Sequence, residues 1–128
     1  MGQYFKIANI DKKETIDPHV FGDGMKLLEF GCSAQGTMTG LTFLLRKSSG
    51  LGGGDVSSGL LDKHKDIVGR WSGDKIVIIG DYDESELAKM VWNEDTEFTD
   101  ISKDLREAMN DSHFISLREG FGLEYKDE

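Results

Sequence analysis

Two stretches of this chain carry residue types that could do chemistry. The first is Gly80-Asp81-Tyr82-Asp83-Glu84, which follows the apolar run Ile76-Val77-Ile78-Ile79. If that run is a strand and continues, Asp81 and Asp83 share one side of it. Paired carboxylate oxygens there could take a hard cation such as magnesium or calcium, or could simply close a turn and start a helix. The second stretch is Gly52-Gly53-Gly54-Asp55, whose consecutive backbone N–H groups could cradle a phosphate. No Gly-Lys-Ser/Thr follows it and the spacing is not that of a dinucleotide fingerprint. A surface loop without a ligand is therefore the other reading. Together the two stretches would describe a small magnesium-dependent nucleotide- or phosphate-binding hydrolase.

Other candidates are thinner. His19, His64 and His113 lack zinc spacing, and Cys32 is the only sulfur ligand on offer. His19, Cys32 and a carboxylate could form a nucleophilic group if the fold gathers them, though a solitary cysteine is more often a small buried residue. Trp71, Tyr82 and Trp92 are candidate interface anchors, with core packing as the alternative for each. No motif singles out one reaction, so whether the protein is an enzyme stays open, and nothing in the sequence asks for a cofactor.

Charge separates the chain into two halves. The whole chain of 128 residues carries a net charge of -9. Up to Ile79 the two signs nearly cancel; from Gly80 onward 15 Asp and Glu stand against 5 Lys and Arg. Hydrophobic residues recur through the acidic half, so it reads as folded surface and not as a solvating tail. Such a surface repels nucleic-acid phosphates and favours a basic partner.

The elements that must position these residues follow from pattern. Tyr4 to Ile10 alternates as a strand, Asp11-Lys12-Lys13 turns, and Glu14-Thr15-Ile16 can return antiparallel. Pro18 bars a central strand beyond it. Phe21 to Gly24 turns, and Met25 to Phe30 is a short helix or an extended core segment. Residues 33–47 suit a helix, since Met38, Leu41, Leu44 and Leu45 recur at its spacing, although a strand through Thr39, Leu41, Phe43 and Leu45 is also open. Gly36 and Gly40 would permit close packing there. The Gly/Ser-rich segment 48–59 is a loop, and Leu60 to Asp66 is a brief helical turn. Ile67 to Trp71 and Lys75 to Ile79, joined by Ser72-Gly73-Asp74, predict a 67–79 hairpin whose second arm lies centrally, being apolar on both faces. Glu84 to Glu86 start a helix through Trp92, and Thr99 or Asp100 caps a second one through Met109. Phe114 to Leu117 and Phe121 to Leu123 add core and could form an edge strand. We expect one α+β domain spanning 1–128, a small antiparallel sheet packed with two to four helices.

Tyr4-Phe5, the run from Phe21-Gly22-Asp23-Gly24 to Gly31-Cys32, Gly52-Gly53-Gly54-Asp55 and Trp71-Ser72-Gly73-Asp74 through Gly80-Asp81-Tyr82 resemble a family of small, uncharacterised bacterial and phage proteins. The resemblance covers residues 1 to about 100. It implies a bacterial or phage setting inside the cell and brings no catalytic residue or ligand with it.

No apolar run approaches the roughly 20 residues that cross a bilayer, the opening residues lack a secretory pattern, and Lys6 stands where a myristoylation signal wants Ser or Thr. A cytoplasmic protein is expected. The leading expectation for function is a non-enzymatic acidic protein that binds a basic protein partner, without direct nucleic-acid or membrane contact. The alternatives are the hydrolase above and a structural accessory domain that forms a homo-oligomer.

Overall fold

A computed structural model describes residues 2–33, 35–93 and 97–111. Strand β1 (Phe5–Asn9) turns through Lys13, which adopts φ 57, into β2 (Glu14–Ile16). The two pair antiparallel with Ile7 opposite Ile16 and Asn9 opposite Glu14. Asp17 accepts the His19 N–H, and Pro18 opens a single 3-10 turn (Pro18–Phe21) that ends on Gly22 at φ 80. Proline suits that first position because its φ is already set and no N–H is lost.

Among the described residues five α-helices follow in the order α1 (Leu27–Gly31), α2 (Thr37–Leu45), α3 (Ser58–Lys63), α4 (Glu86–Trp92) and α5 (Ser102–Met109), with β3 (Ile76–Gly80) before α4 and β4 (Thr99–Asp100) before α5. Ser57 and Ser85 cap α3 and α4 by accepting the N–H groups of Leu60 and Ala88. The sheet order is β3-β1-β2-β4, with β1 antiparallel to both neighbours and β4 parallel to β2. This is a small α+β fold on a mostly antiparallel sheet.

Alternation along β1 divides the apolar residues between two faces. Ile7 joins the larger core with Ile16, Phe21, Phe30, Leu44, Trp71 and Leu105; Ala8 joins a smaller one with Ile79, Ala88 and Val91 of α4. The glycine at position 40 brings α2 against α5, where a Cβ would lie 2.9 Å from a Leu105 methyl. The close packing expected of this residue is thus helix on helix.

Three expectations need correction. Ile67 to Trp71 is not a strand, so the 67–79 hairpin does not form; residues 65–73 make consecutive turns. The last turn of α2 leaves carbonyls without helical partners, and this segment supplies the donors: Gly69 N–H to Phe43 O and Trp71 N–H to Leu44 O. Gly69, in the middle of the expected strand, adopts φ 83, which a strand does not hold; Gly73, at φ 82, sits where the connecting turn was expected. Second, β3 pairs with β1 and lies at the sheet edge, not the centre. It is apolar on both faces because one faces the larger core and the other faces α4. Third, five α-helices form among the described residues where two to four were expected, since the short α1 and α3 also count as helices. The segments Phe114 to Leu117 and Phe121 to Leu123 lie outside the described residues.

Candidate functional site

The residues picked out by type do not converge. Asp55 is held by Arg46, whose Nε and Nη2 each donate at 2.7 Å to one carboxylate oxygen. Asp55 also accepts the Val56 N–H at 2.7 Å, and Arg46 donates onward to Gly50 O at 2.8 Å. These bonds, the Arg46 pairing above all, pull the Asp55 carboxyl down to about 2. The glycine loop therefore carries its own anion. The open groove of about 840 Å³ beside it is lined by Arg46, Lys47, Ser48, Lys65 and Ser72 among others, and Gly52, Gly53 and Gly54 are not part of that lining.

Asp81 ties two strand ends together, and Asp83 closes a local turn. Asp81 Oδ1 accepts the Tyr4 N–H at 3.0 Å, while the Asp81 N–H donates to Tyr4 O, which locks the end of β1 to the end of β3. Asp83 Oδ1 accepts the Ser85 N–H at 2.8 Å, and the hydrogen bonds from Ser85 hold its carboxyl below the usual range. Among the described residues, no three of His, Cys, Asp and Glu gather as a metal would need. His19 and Cys32 are both exposed and no hydrogen bond joins them.

The three aromatic candidates part company. Trp71 is fully buried, and its indole N–H donates at 2.8 Å to Glu14, so it is core and cannot be a surface anchor. Arg70, next to it, grips the same carboxylate with both Nε and Nη2. Burial pushes the Glu14 carboxyl up, but the bonds from Arg70 and Trp71 outweigh it and leave the group below its ordinary range. Trp92 is half-buried under Lys6, whose Nζ sits 4.7 Å above the ring, and its buried indole N–H has no hydrogen-bond partner. Tyr82 alone is well exposed, at 55%, with its hydroxyl donating to Gly2 O.

The acidic half also divides. Asp81, Asp83, Glu84 and Glu86 are exposed within one turn and the start of α4, with Lys89 as the nearest base on that helix, 3.4 Å from Glu86. The later carboxylates meet bases from the first half: Glu97 pairs with Lys13 at 2.5 Å, and buried Asp111 with His64 at 3.2 Å and Lys63 at 3.7 Å. A cleft of about 290 Å³ there mixes Lys63, His64 and Arg70 with Asp104 and Glu107. Asp100, Asp104 and Glu107 are exposed as well, so the acidic half does not form one face; its densest exposed run is the turn after β3.

Sequence reading missed the edge position of β3, which places that turn beside an open strand. The signal for it was indirect: Ser72-Gly73-Asp74 supports a hairpin only if residues 67–71 have no other use for their N–H groups. Comparison with protein-family models, with curated proteins and with solved structures returned no match. Among the described residues no helix is long and apolar enough to cross a membrane.

Proposed function

We propose that this chain is a non-enzymatic binding protein whose acidic turn at the end of β3 engages a basic protein partner. One observation carries the reading: Asp81, Asp83, Glu84 and Glu86 are exposed within six residues, beside exposed Tyr82 and Tyr4. Exposed carboxylates keep their hydration until a cation arrives, and an amphipathic tyrosine beside them adds contact area at low entropic cost. The hydrolase reading needs Asp55, Asp81 and Asp83 at one place, and each has a separate task. A lone exposed Cys32 suits a reducing, cytoplasmic setting.

The test is the salt dependence of binding to an oligolysine peptide. Affinity should fall as ionic strength rises through about 0.1 M, where exposed charges are screened beyond roughly 10 Å. The double variant Glu84→Gln, Glu86→Gln should bind more weakly at low salt. Equal binding by variant and wild type at every salt concentration would defeat the proposal.

A further inference from the structure

The backbone of β3 offers a second half to that surface. The bonds Asp81 N–H to Tyr4 O and Ile10 N–H to Lys75 O bracket the β1–β3 ladder. With Lys6 opposite Ile79 and Ala8 opposite Val77, the alternation of an antiparallel pair turns the N–H and C=O of Val77 and Ile79 toward β1. Those of Ile76 and Ile78 therefore point away from the sheet. Among the described residues nothing hydrogen-bonds to them and β3 has no second strand neighbour. Edges of this kind are usually blunted by proline, by a bulge or by an inward charge. Residues 76–80 contain none of these residue types, and their pairing with β1 runs without interruption. Ile78, 40% exposed, adds a small apolar shelf at the open side.

We propose that β3 is a docking edge, to which an extended segment of a basic partner adds as a fifth strand with its lysines or arginines over Asp81, Asp83 and Glu84. The inference rests on the acidic-turn reading above and names how the partner sits. Strand addition supplies affinity through main-chain hydrogen bonds, and alternate side chains supply selectivity. Charge decides the occupant. A second copy of this chain would bring two molecules of net charge -9 together, with exposed Lys75 at the start of each edge. A basic strand instead places opposite charges at the carboxylate end.

The experiment is an amide-resolved titration of the labelled full chain with a short peptide that alternates valine and threonine and ends in lysines. A matched peptide N-methylated at alternate residues keeps the charge and cannot form the ladder. The expected result is slowed hydrogen exchange at Ile76 and Ile78 with the first peptide, and at least about tenfold weaker binding of the second, the loss of one or two net hydrogen bonds. Ile78→Pro in the protein should weaken binding similarly, because proline is tolerated where a strand N–H faces solvent. If that variant does not fold, the peptide pair still decides. Equal binding of the two peptides, both lost with Glu84→Gln and Glu86→Gln, would overturn the edge and leave the acidic turn standing. Backbone-dependent binding indifferent to those two changes would keep the edge and remove the charge reading. Protection of Ile76 and Ile78 in the free protein, a dimer in sedimentation that buries β3, or the absence of any response at these amides would each overturn the edge.

Discussion

The carboxylates before β3 and those just after it are the same chemical groups put to opposite uses. Glu14 takes Arg70 and the Trp71 indole, Asp23 takes the Thr37 N–H and hydroxyl, and Asp74 takes Asn9 and Lys12. With Asp55 on Arg46, each joins segments that are separate in sequence. After β3, Asp81 also reaches a distant segment, but through one exposed bond from the Tyr4 N–H; Asp83 accepts its neighbour Ser85 N–H, and Glu86 meets the exposed Lys89. The difference teaches that carboxylate count and net charge do not report a job. A carboxylate surrounded by donors holds the fold, while an exposed one keeps its lone pairs for water and for a partner.

The largest test of that contrast is Glu14→Ala. It leaves the Trp71 indole N–H without its acceptor in the core and the Arg70 guanidinium without its counter-charge. Breaking a buried pair in this way costs about 3 kcal/mol, the lower end of the usual range because Arg70 stays partly hydrated. The urea midpoint should drop with an unchanged slope. A loss below about 1 kcal/mol would mean that the turns over 65–73 are held by α2 alone and that Glu14 is no strut.

Asp23→Ala should come next, at about 2 kcal/mol. Asp23 is buried, and its Oδ2 accepts the N–H of Thr37, the first residue of α2, at 2.7 Å. A carboxylate there also meets the positive end of the helix. Gly36 leaves the space, since a Cβ at that position would collide with the Asp23 carboxylate. Amide exchange should rise first in the opening turn of α2. Asp23→Asn, which keeps an acceptor and drops the charge, should recover part of the loss.

Acid should release the Asp55 clamp along with the other carboxylate struts. The folded-state value of Asp55, about 2, lies below its unfolded value near 3.8. The Arg46 clamp is therefore complete above about pH 4 and is lost as pH falls toward 2. Protease cleavage within 48–57 should increase across that window. In Asp55→Asn, cleavage should already be raised at neutral pH and should no longer follow this transition.

How much of this was legible in the sequence depends on where each bond partner lay. Strands β1 and β2, the helix over 37–45 and helices α4 and α5 were readable because period, proline and acidic helix starts are local signals. The N-cap of α5 falls on Ile101 and not on Thr99 or Asp100, because these two residues pair with β2. The turn at 67–73 was not legible, because its donors serve α2, over twenty residues away in the chain. Trp71 was read as a surface candidate for the same reason: its partner Glu14 lies 57 positions back. Asp81 and Asp83 were legible as turn and helix-start residues but not as the two ends of separate bonds to Tyr4 and Ser85. The edge position of β3 needed the strand order, which no local pattern contains.

The smallest expected change in stability belongs to the region where binding is expected to change most. Glu84→Gln with Glu86→Gln removes two exposed charges and disturbs only the surface contact to Lys89, so unfolding free energy should stay within about 0.5 kcal/mol of wild type. The same pair should weaken binding of an oligolysine peptide about tenfold at low salt and far less at high salt, as screening removes what the substitution removes. Urea unfolding and a salt series on one preparation measure both. If stability falls as it does for Glu14→Ala, these glutamates are struts after all, and the division between fold-holding and partner-facing carboxylates does not run at β3.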